Sequence, residues 1–180
     1  MNKYFVIFFL LIFASAEKMH GQQKIKGQAI PEYGEIYTVP NPDLDTSALK
    51  EYKAVFDLYT APEDPAALNA GFDRVARFIN LHVEAGIPIE NIKPVMVVHG
   101  GASMGLLKNE FYNEKFGVDN PNIELLNKLD EVGVAIVLCG QTAGAREISK
   151  EKRLPQIQLA LSAMTALIYY QDQGYGLINF

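Results

Sequence analysis

Cys139 is the only cysteine in the chain, and the residues around it could give a thiol a chemical role. It closes the run Gly133-Val134-Ala135-Ile136-Val137-Leu138-Cys139 and is followed by Gly140-Gln141-Thr142. A continuous apolar run rich in β-branched residues reads as a strand buried on both faces, and the glycine after it allows a sharp turn. The thiol therefore stands at the carboxyl end of a strand. In open parallel α/β sheets that edge leads into helix N-termini, whose free amides favour a thiolate over a thiol. Thr142 is expected to cap a short helix running through Ser149, with the thiol near its positive end.

A second buried strand, Pro94-Val95-Met96-Val97-Val98, runs into His99-Gly100-Gly101-Ala102-Ser103-Met104-Gly105. If the two strands are neighbours, His99 and Cys139 share one rim of the sheet, and an imidazolium there would lower the thiol's pKa. The alternative is a histidine bonded to a loop carbonyl. Gly101-Ala102-Ser103-Met104-Gly105 matches the G-x-S-x-G pattern of a nucleophile elbow, but that architecture needs a histidine after the serine, and none lies beyond His99. The glycines fit neither G-x-G-x-x-G nor G-x-x-x-x-G-K-[ST]. They indicate a loop whose backbone closely approaches something, either a neighbouring segment or a small anion. His82, alone on a helix with no second ligand in register, supports no metal site.

These residues need a scaffold, and the chain supplies alternating strand and helix patterns. Lys53 to Tyr59 reads as the first strand of the domain, with Asp57 expected to be a hydrogen-bonded carboxylate near its end. Asp64-Pro65 has the form of a helix start, and Leu68, Phe72, Val75, Ile79 and Val83 then form one apolar face up to Gly86. Lys108 to Asp119 reads as a helical turn and surface loop; Asn120-Pro121 opens a helix bearing Ile123, Leu125, Leu126 and Leu129, ended by Gly133. The tail divides into a strand near Ile157 to Leu161, a helix from Ala163 to Gln173 and a last strand at Gly176 to Phe180, although one helix over Leu159 to Tyr170 fits the periodicity nearly as well. The alternation predicts a three-layer α/β sandwich with a mainly parallel sheet of about five strands.

The ends and the charge limit the function. Lys3, the apolar run Tyr4 to Phe13 and Ala14-Ser15-Ala16 have the three-part pattern of a signal peptide over residues 1–16, and the run is short of the roughly 20 residues that span a bilayer. The expected product is exported, periplasmic or secreted, with no membrane span after cleavage. Residues 17–50 hold Pro31, Pro40 and Pro42 and read as an extended N-terminal arm, with a short strand at Glu35 to Val39, lying over the domain or a neighbouring subunit. Residues 51–180 form a single α/β domain. The formal net charge of −5 and the lack of a basic run argue against nucleic acid and anionic lipid as partners. A lone cysteine excludes an intramolecular disulfide.

Several short motifs in order carry a resemblance. Val97-Val98-His99-Gly100, then Asn120-Pro121 before a leucine-bearing helix, then Gly133-Val134 leading to Cys139-Gly140-Gln141, then Gly174-Tyr175 before a terminal strand together resemble the DsrE/DsrF-like family over Tyr52 to Phe180. The resemblance implies a compact α/β fold of the kind found in intracellular sulfur-relay proteins, assembled as homo- or hetero-oligomers such as trimers and hexamers. It also implies that Cys139, the only position available, could carry sulfur as a persulfide. The export pattern departs from those cytoplasmic sulfur-oxidation members.

Two functions follow. In the first, Cys139 accepts and passes on sulfane sulfur, His99 tunes the thiol, and Gly100, Gly101, Ser103, Gly140, Gln141 and Thr142 hold a small anionic sulfur species, with a sulfur donor or acceptor protein as partner. In the second, the chain is a non-catalytic oligomeric module that binds a small ligand or a protein, and Cys139 fills space. Neither calls for a metal or an organic cofactor.

Overall fold

The computed structural model describes residues 22–179. The signal-peptide pattern over residues 1–16 and the last residue of the expected terminal strand, Phe180, lie outside the described residues. The domain is built on a five-stranded, wholly parallel sheet. Its strands, in spatial order, are β6 (Gln158–Ala160), β5 (Ala135–Cys139), β4 (Ile92–Val98), β3 (Tyr52–Leu58) and β7 (Gly176–Asn179). All carboxyl ends therefore share one edge. The central strands β4 and β5 carry the continuous apolar runs that a sheet covered on both faces demands.

Side chains alternate between two faces of unequal thickness. One face presents Phe56, Met96, Val98, Ile136 and Leu138 to the helices α1 (Ala70–Glu84) and α3 (Ile123–Glu131), which contribute Phe72, Val75 and Ile79 and Leu125, Leu126 and Leu129. Burying each side chain of this size contributes about 1.5–3 kcal/mol, and this side holds most of the apolar core. The other face presents Val55, Val95, Val97, Val137 and Cys139. Its cover is a single helix, α5 (Ala163–Asp172), which brings Ala163 and Ala166 against the valines. Small residues on both sides let helix and sheet approach closely. The expected three-layer α/β architecture is the observed one.

The starts of α1 and α3 differ from the sequence expectation. Asp64 does not cap α1: its carboxylate accepts from the Ala66 N–H at 2.9 Å and closes a turn. The cap is Asn69, whose Oδ1 accepts from Gly71 at 2.8 Å while its own N–H donates to the Asn122 side chain at 2.8 Å. Asn120 likewise does not cap α3, which starts after Asn122. Its Nδ2 instead donates to the carbonyls of Gly105 and Leu107 at 2.9 and 2.7 Å, tying down the 3-10 segment Gly100–Leu106. A buried asparagine satisfying several backbone groups of a distant loop wins over a local cap. Residues 109–116 form a full helix, α2 (Asn109–Phe116). The tail adopts the strand, helix, strand division, with Ser162 capping α5 through a 3.0 Å bond from the Thr165 N–H.

The N-terminal segment lies on α1. Its short strands β1 (Lys24–Ile25) and β2 (Ile36–Tyr37) pair antiparallel, and the turn between them is held by Asn80, which is fully buried. Asn80 Oδ1 accepts from Ile30 N–H at 2.8 Å, and Nδ2 donates to the Ile30 and Tyr33 carbonyls at 3.0 and 2.8 Å.

Candidate functional site

Asp57, His99 and Cys139 stand at the carboxyl ends of β3, β4 and β5, three adjacent strands. The register pairs Asp57 with Val97 and Val98 with Leu138. His99 prolongs β4 with extended backbone, its N–H bonded to the Leu58 carbonyl at 2.9 Å. Alternation along the strands then puts all three side chains on the face covered by α5. The sequence expectation that His99 and Cys139 share one rim thus holds in the backbone.

The histidine ring has a carboxylate partner. His99 Nε2 lies 2.8 Å from Asp57 Oδ1, and Tyr59 packs against the ring with centroids 5.7 Å apart. In the neutral ring this bond keeps the proton on Nε2 and leaves Nδ1 as the basic nitrogen. Asp57, read from sequence only as a hydrogen-bonded carboxylate, is what orients the imidazole. A period-2 reading of both strands, putting positions 57, 97 and 99 on one face, is the signal that could have linked the two residues.

Around the thiol, the helix α4 (Gly140–Ala145) begins directly after Cys139, so the cysteine itself is the N-cap residue. Thr142 was expected to cap this helix; it lies within it, and its N–H and hydroxyl both serve the thiol. Burial pushes the Cys139 thiol up, but hydrogen bonds from the Thr142 N–H, the Thr142 hydroxyl, the Ala163 N–H and the Gln141 N–H outweigh it and hold the thiol below its ordinary pKa. Amides from the first turns of two helices, α4 and α5, thus converge on one sulfur. Thr142 also connects the two strands: its Oγ1 accepts from the Gly100 N–H at 3.3 Å. Cys139 retains 5 % of its surface accessible.

The remaining expected site residues shape these loops. Gly140 is required by close approach, because a Cβ there would fall 2.5 Å from the Ala160 carbonyl oxygen. Gln141 donates through Nε2 to the Leu161 carbonyl at 3.2 Å, fastening the turn between β6 and α5 beside the thiol. Gly100 adopts φ +51, a left-handed conformation, with the Tyr59 carbonyl 3.0 Å from where a Cβ would be. Gly101 meets Ala61 in the same way, so both glycines approach the loop after β3. Ser103 is fully buried, and its Oγ donates to the Gly100 carbonyl at 2.7 Å. It stabilises the loop from inside and presents no hydroxyl to the rim.

Beside Asp57 a cleft of about 330 Å³ opens between the loop after β3 and the first turns of α1, lined by Tyr59, Thr60, Asn69, Gly71 and Arg74. Its position at the carboxyl edge of the sheet is where ligands collect in folds of this class. Among the described residues no group of three or more histidine, cysteine or carboxylate side chains could hold a metal ion. No helix among them is long and apolar enough to cross a membrane.

Comparison with known proteins agrees with the α/β fold. The family model described as the DsrE/DsrF-like family matches residues 53–180. Among solved structures, a protein of unknown function from Methanobacterium thermoautotrophicum is similar in fold, with a TM-score of 0.52 and 15 % identity. The match covers 72 % of this chain and 100 % of that one. At that identity the likeness speaks for the fold alone. No curated protein matches.

Proposed function

Because the chain belongs to the DsrE/DsrF-like family, we propose that Cys139 is a sulfur carrier that accepts sulfane sulfur as a persulfide and passes it on. What supports this reading is the place of Cys139 at the carboxyl edge of the sheet as the N-cap residue of α4, where hydrogen bonding from Thr142, Ala163 and Gln141 holds its thiol below the ordinary value. Such donors stabilise an anion, and the thiolate is the nucleophilic form. In the transfer step the Cys139 thiolate attacks the terminal sulfur of a donor persulfide, R–S–SH. A new S–S bond forms at Sγ, the donor's S–S bond breaks, and the leaving R–S⁻ carries away the electron pair; the terminal sulfur keeps its proton. No net oxidation occurs. The same donors then face the charge of the bound persulfide.

His99, held by Asp57, offers a basic nitrogen on the same rim for the proton of the terminal sulfur. The leader pattern in residues 1–16 supports a carrier that works outside the cytoplasm. Incubation with a small persulfide donor followed by intact-mass measurement tests the proposal. The expected result is a gain of one sulfur atom per chain, reversed by reductant and absent in Cys139→Ser. A protein that gains no sulfur, and whose native thiol is alkylated only after unfolding, has a cysteine that merely packs.

A further inference from the structure

The cleft beside Asp57 has the size and the lining of a small-molecule site. Its volume of about 330 Å³ lies within the range of ligand pockets. Tyr59, Pro62 and Leu68 give it apolar walls, and its charged side chains are Asp57 and Arg74. The walls are held together from within the chain. Asn69, the cap of α1, donates through Nδ2 to the Thr60 carbonyl at 2.9 Å and accepts from Gly71 at 2.8 Å, which ties the loop after β3 to the first turn of the helix. Asp57 already holds His99, so the cleft recognises charge through the Arg74 guanidinium, whose planar fork matches a carboxylate.

The distance from the cleft to the thiol sets the length of the ligand. Cys139 ends β5 and Asp57 stands on β3, two strands away, with His99 at the end of β4 between them. Adjacent strands lie about 4.8 Å apart, so the span is roughly 10 Å. An extended chain covers about 3.3–3.6 Å per residue, which makes the span about three residues of peptide. Along this track the His99 side chain is 30 % exposed and Tyr59, packed against its ring, 48 %. Cys139 itself is buried. Such a sulfur is reached by the slim end of an extended molecule, whereas the broad surface of a folded protein stops at the rim.

We propose that this cleft binds the body of the sulfur donor, and that the donor is a low-molecular-weight persulfide of short-peptide length with a carboxylate held by Arg74. The assignment rests on Cys139 being the sulfur acceptor. With the donor lying across His99, the Cys139 thiolate bonds to the outer sulfur, which keeps its proton; the donor's S–S bond breaks, and R–S⁻ departs with the electron pair. The test follows loading of Cys139 by intact mass from glutathione persulfide, from its diethyl ester and from inorganic polysulfide. The acid is a tripeptide persulfide with free carboxylates, and the ester has none. The concentration for half-maximal loading rate is expected to be about tenfold lower for the acid than for the ester, the worth of one charge-assisted contact. Arg74→Gln is expected to raise it for the acid alone and to leave loading from polysulfide unchanged. Equal values for acid and ester in the wild type, an Arg74→Gln protein that keeps the preference, or loading from polysulfide alone would overturn the cleft assignment and leave the carrier standing. No sulfur gained from any of the three donors would overturn the carrier and the assignment with it. The comparison of acid with ester needs only the wild type, so it decides even if the variant fails to fold.

Discussion

At Cys139 the decisive groups are Thr142 and the amides around it. Thr142 donates to the sulfur through both its N–H and its hydroxyl, and the same hydroxyl oxygen accepts from Gly100. Replacing it by valine keeps the shape and removes the hydroxyl donor. Thr142→Val is expected to slow alkylation of the native thiol at neutral pH about tenfold, which corresponds to the roughly 1.5 kcal/mol of a hydrogen bond to a charged group. Iodoacetamide kinetics followed by mass would check it, and an unchanged rate would remove Thr142 from the mechanism. The direction of the thiol's shift also has a consequence for stability. A thiol held below its unfolded value of about 8.5 gives up its proton more readily in the folded chain, so ionisation favours the native state. That contribution is complete above the unfolded value and is lost as pH falls through the folded one. Cys139→Ser lacks it, so the stability gap between wild type and variant, measured by urea denaturation, is expected to widen as pH rises toward about 8.5. A gap that stays constant with pH would mean an unperturbed thiol.

Among the elements, the strands were legible because burial on both faces leaves only one pattern, an unbroken apolar run. That pattern put Val98 and Leu138 one residue before the histidine and the cysteine, and the register pairs them as neighbours. Helix starts were less legible, since any Asp, Asn, Ser or Thr before an apolar face can cap. Asn69 took that role from Asp64 because Asn122 holds its N–H from 53 residues away, a contact that no local window contains. The cap beside the thiol differed for a related reason: Gly140 fits directly under the Ala160 carbonyl, and the helix can begin there, two residues before Thr142. Asn80 was invisible in sequence, being a polar residue within an otherwise amphipathic helix. It has the most to lose. Asn80→Ala would strand the Ile30 N–H and take a donor from the Tyr33 and Gly34 carbonyls of a buried turn, and it is expected to cost about 1–3 kcal/mol in denaturant unfolding, with β1 and β2 released from α1. A loss below about 0.5 kcal/mol would show that water replaces the side chain freely.

For the whole molecule, the unequal layers explain where the chemistry falls. The thick side, with α1 and α3, holds the core, and the thin side, with α5 alone, holds the rim of Asp57, His99 and Cys139. The parallel sheet was readable from the alternation of patterns, whereas the thinness of one side was not, because it depends on which helix crosses to which face. That thinness places a single helix between the thiol and the outside, with Ala163 in the same buried cluster as Cys139 and with Met164 and Ile168 facing outward. A sulfur carrier must both load and unload, so the most direct measurement is a single turnover. Protein loaded by a persulfide donor, freed of excess donor and then exposed to cyanide is expected to release one thiocyanate per chain and return to its unmodified mass, as the cyanide carbon takes the outer sulfur and Cys139 leaves as a thiolate. No thiocyanate above the amount given by Cys139→Ser would contradict the proposed role of Cys139.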